Sequence, residues 1–320
     1  MYAGLERILS SALGLCALFG IELGFVGLGV AELEVLVAFA SATLSMGVCI
    51  VAAGNAPTGV SCDHQTLLLV GGVHVAKLLF ICLKLESGKR QEEAMKYLAP
   101  LLVTFNGFSI SYFLYPEWYT KASGIWLLAI HLALSVDCTG VWFFVSGLLL
   151  SSVGDVLLEL EEQSNSQLLF IGGLAAFLVA HVLYTVGFWL STAKNRLHAK
   201  TISIASPTLG VVYTVLLYVL VPRLPSDLIA PVVVYGLAIS LMCLFAVNKL
   251  LVNGASQSTL LAVVGAVVFM VSDILISVNK FIEPFQHAKL YIMMTYYVGQ
   301  CCIAVSLAWP SAEGLKFRQD

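Results

Sequence analysis

An all-α, polytopic transmembrane helix bundle is the fold class this sequence predicts, and three observations predict it. The chain is 59% hydrophobic and only 11% charged, with a mean hydropathy of +0.94, a balance far from that of a water-soluble domain. Apolar runs of about 20 residues, each long enough to cross a hydrocarbon layer roughly 30 Å thick, recur along the chain. An α-helix satisfies its own backbone polar groups inside a bilayer, so such runs read as helices.

Taken in order, the candidate spans are 8–30, 33–54, 66–85, 97–115, 121–136, 140–159, 168–190, 201–221, 228–250, 257–279 and 288–309. The run at 121–136 is short and the second opens on Glu32 and Glu34, so ten spans is the alternative count. The polar stretch ESGKRQEEAMK, 86–96, separates three N-terminal spans from eight that follow. The expected organisation is therefore an extra N-terminal segment over 1–96, an eight-helix core over 97–310 and a polar tail over 311–320. No small-residue cleavage site plainly follows the first apolar run, which reads as a retained signal anchor.

With alternating spans and the 86–96 loop in the cytosol, ten basic residues fall inside and five outside, the latter being Arg7, Lys121, Arg223, Lys280 and Lys289. That split agrees with the positive-inside tendency. A net charge of −3 with scattered basic residues points away from nucleic acid and from a polybasic lipid patch, so partners are sought among membrane lipids. The eight cysteines show no CxxC spacing and read as small buried residues. Gly147, Ser151 and Gly154 form a small-residue stripe on one helix face, suited to close approach of a neighbour. Homo-oligomerisation stays open.

A carboxylate inside a transmembrane helix costs about 2.5 to 3.5 kcal/mol on insertion scales and therefore needs a partner, water or a task. Two stand out in the last eight spans: Asp155 in GLLLSSVGDVLLEL and Asp273 in FMVSDILISVNKF. Each lies about 15 residues into its span, a depth of roughly 22 to 24 Å at the helical rise. Their spans are the third and seventh of eight, hence parallel, so the two acids share a level of the membrane. Glu159 lies one turn beyond Asp155 on the same face, Tyr297 and Gln300 share a face of the last helix, and His181 and Tyr184 do so on the fourth. Each has a plain structural reading as a hydrogen-bonded packing residue. Together they outline a polar pocket in an apolar bundle. Glu22, His74 and Lys77 read as interhelical contacts, and Glu161 with Glu162 as a solvated helix end.

Several intramembrane chemistries lack their motif. There is no HExxH, the six histidines are dispersed, and no GxSxG elbow occurs, so a zinc hydrolase and a serine acyl transferase have little support. Paired Gly/Pro helix breaks typical of secondary transporters are not obvious. A transporter or lipid-binding or lipid-sensing protein using the same acids remains the alternative to an enzyme.

Four blocks, GLLLSSVGDVLLEL, FIGGLAAFLVAHVLYTVGF, FMVSDILISVNKF and HAKLYIMMTYYVGQ, resemble the YhhN family of membrane proteins in order and spacing. The resemblance covers about 97–309 and leaves 1–96 without a counterpart. Animal members of that family include lysoplasmalogenase, so the resemblance implies hydrolysis of the vinyl ether of 1-alkenyl-glycerophosphocholine or -ethanolamine to a fatty aldehyde and the glycerophospho headgroup. It implies an endoplasmic reticulum membrane location and a lysophospholipid substrate. Two carboxyl groups suffice for such chemistry, with no metal or organic cofactor. One donates a proton while the other stabilises the oxocarbenium ion and orients water, as in glycosidases. Asp155 and Asp273 are the expected catalytic pair. His181, Tyr184, Tyr297, Gln300 and Glu159 are expected to bind substrate or water, and Lys280, near the interface, to meet the lipid phosphate.

Overall fold

A computed structural model describes residues 104–308 except 106, 110, 137 and 139. The three N-terminal spans, Glu22, His74, Lys77 and the 311–320 tail lie outside the described residues. Among the described residues every regular element is helical. Helical turns between 104 and 114 lead into seven helices: α1 Trp118–Ser135, α2 Val141–Ser164, α3 Gln167–Leu190, α4 Ser206–Leu220, α5 Ser226–Asn253, α6 Gln257–Phe281 and α7 Ala288–Ala308. Among the described residues six segments are long and apolar enough to cross a membrane: α2, α3, Thr201–Arg223 around α4, α5, α6 and α7. The chain is an integral, multi-pass membrane protein.

Local sequence sets the helix ends. Gly140 and Asn165 bracket α2 with positive φ, 88° and 52°, and the Asn165 N–H closes onto the Glu161 carbonyl. Only Asn165 and Ser166 separate α2 from α3, so these helices run antiparallel side by side. Ser256 caps α6 by accepting from the Thr259 N–H at 3.3 Å. The span read as 140–159 continues to Ser164. Apolar patterning stops at Leu160, but Glu161 and Glu162 are held by Lys280 at 2.8 Å and Lys289 at 3.0 Å from other helices. Glu161 is thus corrected from a solvated helix end to a largely covered member of an ion pair, its side chain 14% exposed.

Around the bundle, α1 packs on α2, α2 on α3, α3 on α5, α5 on α6, α6 on α7 and α7 back on α1, while α4 sits outside against α5. Chain reversals place the ends of α2, α4 and α6 at one face with the starts of α1, α3, α5 and α7. Helices α6 and α7 are the most enclosed spans and α4 the most exposed.

Glycines set how closely the layers meet. A Cβ on Gly147 would lie 2.4 Å from the Tyr184 ring and one on Gly154 2.6 Å from the Phe177 ring, both on α3. The small-residue stripe therefore serves α2–α3 packing. Between α6 and α7 the approach is backbone to backbone: a Cβ on Gly299 would meet the Phe269 nitrogen at 2.9 Å and the Gly265 oxygen at 3.1 Å.

Gly299→Ala should lower thermal stability by about 1 to 3 kcal/mol, because backbone cannot yield as a side chain can. Gly210, with nothing within 4 Å of its would-be Cβ, is the matched control. Thermal unfolding in detergent, read by intrinsic fluorescence, should show a lowered midpoint for Gly299→Ala and little loss for Gly210→Ala.

Candidate active site

Asp155 lies nine residues before the end of α2 and Asp273 eight before the end of α6. Those ends share a face, so the two carboxyls sit about 12 to 13 Å beneath it by helical rise. Both are buried, at 2% and 9% exposure. The equal level expected from sequence is the one found.

Each carboxyl takes a hydrogen bond from a tyrosine of a different helix. The Tyr296 hydroxyl of α7 donates to Asp155 Oδ2 at 2.6 Å. The Tyr235 hydroxyl of α5 donates to Asp273 Oδ2 at 2.7 Å. His181 of α3 brings its Nε2 to 3.7 Å from the same Asp273 oxygen, too far for a hydrogen bond. Its imidazole is fully buried with neither ring nitrogen hydrogen-bonded, edge-on to Tyr235 at 5.1 Å and tilted against Phe269 at 4.9 Å.

The Phe269 ring joins the two halves, since it also meets Tyr296 at 5.4 Å and Tyr184 at 6.5 Å between centroids. Tyr184 donates to Gln300 Oε1 at 2.8 Å. Ser151 is buried beside the Tyr184 hydroxyl, and the Gln300 amide lies beside the Tyr296 hydroxyl. Buried polar atoms are normally satisfied. His181 is an exception in this aromatic-walled interior, with neither ring nitrogen hydrogen-bonded.

One turn nearer the face, Glu159 is 3% exposed and fully engaged. It accepts from Lys289 at 2.9 Å and from the Tyr112 hydroxyl at 2.8 Å, with the Lys121 ammonium 3.4 Å away. Lys121, read from sequence as the outer end of the 121–136 span, is instead buried three residues into α1. Its ammonium is paid for by Glu159. Lys280 bonds Glu161 at 2.8 Å and lies over the Phe170 ring at 4.4 Å, away from the Glu159 group. Among the described residues no group of three or more His, Cys, Asp and Glu side chains is arranged to hold a metal ion.

Of the residues singled out from sequence, Asp155, Asp273, His181, Tyr184 and Gln300 converge on one interior. Tyr297 turns elsewhere. It is buried, but its hydroxyl donates to the Lys121 carbonyl at 2.9 Å, and its neighbour Tyr296 is the one that reaches Asp155. Adjacent tyrosines in TYYVGQ leave the choice open, because Gln300 lies three residues from one and four from the other, and both spacings share a face. Tyr235, Tyr112, Lys121 and Lys289 were not among the residues read as functional. Tyr235 had a usable signal: it is nine residues into α5, at the depth of Asp273.

Residues 116–307 match the YhhN family. Lysoplasmalogenase TMEM86B of Sus scrofa is 34% identical over 161 residues, covering 50% of this chain and 61% of that protein. Lysoplasmalogenase TMEM86A of Homo sapiens is 30% identical over 232 residues, covering 66% of this chain and 90% of its own. A lysoplasmalogenase of Mycobacterium tuberculosis (strain CDC 1551 / Oshkosh) is 34% identical over 162 residues, with 50% and 58% covered. No solved structure matches.

Tyr296→Phe strips a buried carboxyl of its hydrogen bond and should lower stability by about 1 to 3 kcal/mol. Calorimetry of the detergent-solubilised protein checks this. An unchanged melting temperature would show that Asp155 does not depend on that bond.

Proposed function

This chain belongs to the YhhN family, and we propose that it is a lysoplasmalogenase, hydrolysing the vinyl ether of 1-alkenyl-glycerophosphocholine or -ethanolamine by two-carboxyl acid/base chemistry. The observation that carries the reading is the pair Asp155 and Asp273, buried at one level with a tyrosine on each and with His181, its ring nitrogens free of hydrogen bonds, beside them. The names of the relatives supply the reaction class. The two acids supply a means of performing it.

A vinyl ether is cleaved once its carbon β to oxygen takes a proton. In this reading a neutral carboxyl donates that proton and becomes the carboxylate, while the alkenyl ether becomes an oxocarbenium ion. The second carboxyl, ionised, stabilises the cation and accepts a proton from the attacking water. The resulting hemiacetal collapses to the aldehyde and the free hydroxyl of the glycerophospho headgroup. Water enters, one carbon–oxygen bond breaks, and no redox partner is consumed. Division of labour between a protonated and an ionised carboxyl is the arrangement glycosidases use for a related cation.

The remaining side chains fit supporting roles. Tyr296 and Tyr235 fix the carboxyl orientations through their hydroxyls. His181 and the Gln300 amide can hold the water or the ether oxygen. An amphiphilic substrate suits the setting, since its alkenyl chain can remain among apolar helices while its headgroup stays at the face. Catalysis by an eight-helix unit over 97–310, with 1–96 outside it, and residence in the endoplasmic reticulum membrane belong to the same proposal.

Purified protein should release fatty aldehyde from alkenyl lysolipids and not from their alkyl or acyl counterparts, with or without a chelator. Asp155→Asn and Asp273→Asn should each reduce kcat by about a hundredfold or more, the scale of a lost general acid or base, while still folding. Full turnover in either variant would end the paired mechanism. Lipid left intact while ions cross proteoliposomes containing the protein would favour a transporter.

A further inference from the structure

We propose that Lys289 and Lys121 form a phosphodiester subsite for the lipid headgroup, one helical turn nearer the membrane face than Asp155; this rests on the lysoplasmalogenase reading and specifies how that site holds its substrate. The charge balance is the first reason. Two ammonium groups converge on the single buried carboxylate of Glu159, from 2.9 Å and 3.4 Å. Lys289 has a second partner in Glu162, but that carboxylate is 54% exposed, where solvent screens it. Glu159 is the buried anion shared by both ammonium groups, and Lys289, half-exposed with its outer partner weakened by solvent, is the cation a phosphodiester monoanion would meet from the face.

Access is the second reason. Lys121 is 6% exposed at its side chain, whereas Lys289 is 41% exposed, so the cluster reaches from the interior to the face. The Tyr112 ring lies against both ammonium groups, 5.3 Å from Lys289 and 6.0 Å from Lys121, and its hydroxyl is held by Glu159. Both cations are thus anchored beside each other.

Spacing is the third. Glu159 follows Asp155 by four residues, about 6 Å along α2. In a 1-alkenyl-glycero-3-phospholipid, five single bonds of about 1.5 Å each join the ether oxygen to phosphorus, an extended reach of roughly 6 Å. With the phosphodiester at the lysines, the vinyl ether falls at the level of Asp155. Lys280 serves this less well, because its charge is matched by Glu161 at 2.8 Å, with the Phe170 ring 4.4 Å beneath it.

Lys289→Gln tests the proposal, with Lys289→Arg as its conservative companion and thermal unfolding as the check on folding. The readout is the ratio of kcat/KM for alkenyl glycerophosphocholine to that for alkenyl glycerol, which lacks the phosphate. Losing one charge-assisted hydrogen bond should lower that ratio about ten- to a hundredfold in the glutamine variant, through KM. The arginine variant should recover most of it. A ratio unmoved by Lys289→Gln, or an equal loss on both substrates, would overturn the subsite and leave Lys289 a counter-ion for Glu159.

A second measurement separates this from the proposed activity: binding of the uncleavable alkyl glycerophosphocholine, and of inorganic phosphate, to wild type and variant by calorimetry in detergent. Weaker binding of the alkyl lipid to Lys289→Gln supports the subsite even if no lipid is hydrolysed. Inorganic phosphate binding as tightly as the lipid, with the same dependence on Lys289, would assign the cluster to free phosphate and overturn the headgroup claim.

Discussion

A carboxyl group placed among hydrocarbon chains has no water to satisfy it, so the protein must supply a donor or a counter-charge for each one. Three buried acids among the described residues impose that demand, and the way it is met organises the interior. Asp155 draws Tyr296 of α7 onto α2, and Asp273 draws Tyr235 of α5 onto α6. Glu159 gathers Lys121 from α1, Lys289 from α7 and Tyr112 from the leading turns. The Asp273 contact joins helices that also pack side by side, whereas those from α7 reach across the bundle to α2.

The packing makes those polar contacts reachable. Gly265 and Gly299 let the α6 and α7 backbones meet, and Gly147, Gly154, Gly173 and Gly187 let α2 and α3 accept each other's large side chains. Close α6–α7 contact carries Phe269 inward to meet His181, Tyr184 and Tyr296. Aromatic rings thus stand beside two buried carboxyls and an imidazole without hydrogen bonds. In the proposed chemistry that combination matters, because a dry site strengthens each charge that remains in it.

From the charged face inward the molecule reads as successive layers: exposed Glu162 and Lys289, then the Glu159 group, then the two aspartates, then His181, Tyr184 and Gln300. Polar headgroup, glycerol and alkenyl chain follow one another in the same sense in a lysoplasmalogen. In the proposed reading, that order gives the direction of substrate entry.

The sequence by itself determined the helical, membrane-crossing character, the approximate spans from 121 onward and the common level of Asp155 and Asp273. Hydropathy and a rise of about 1.5 Å per residue are one-dimensional properties, and alternation of direction converts them into depth. Which way each side chain turns depends on the rotation of one helix against its neighbours. That is why Tyr296 rather than Tyr297 meets Asp155, why Lys121 is buried, and why Glu161 holds Lys280 across the bundle. These outcomes were set by close approach at glycines and by the need to pair each buried charge, and neither is readable until the helices are brought together.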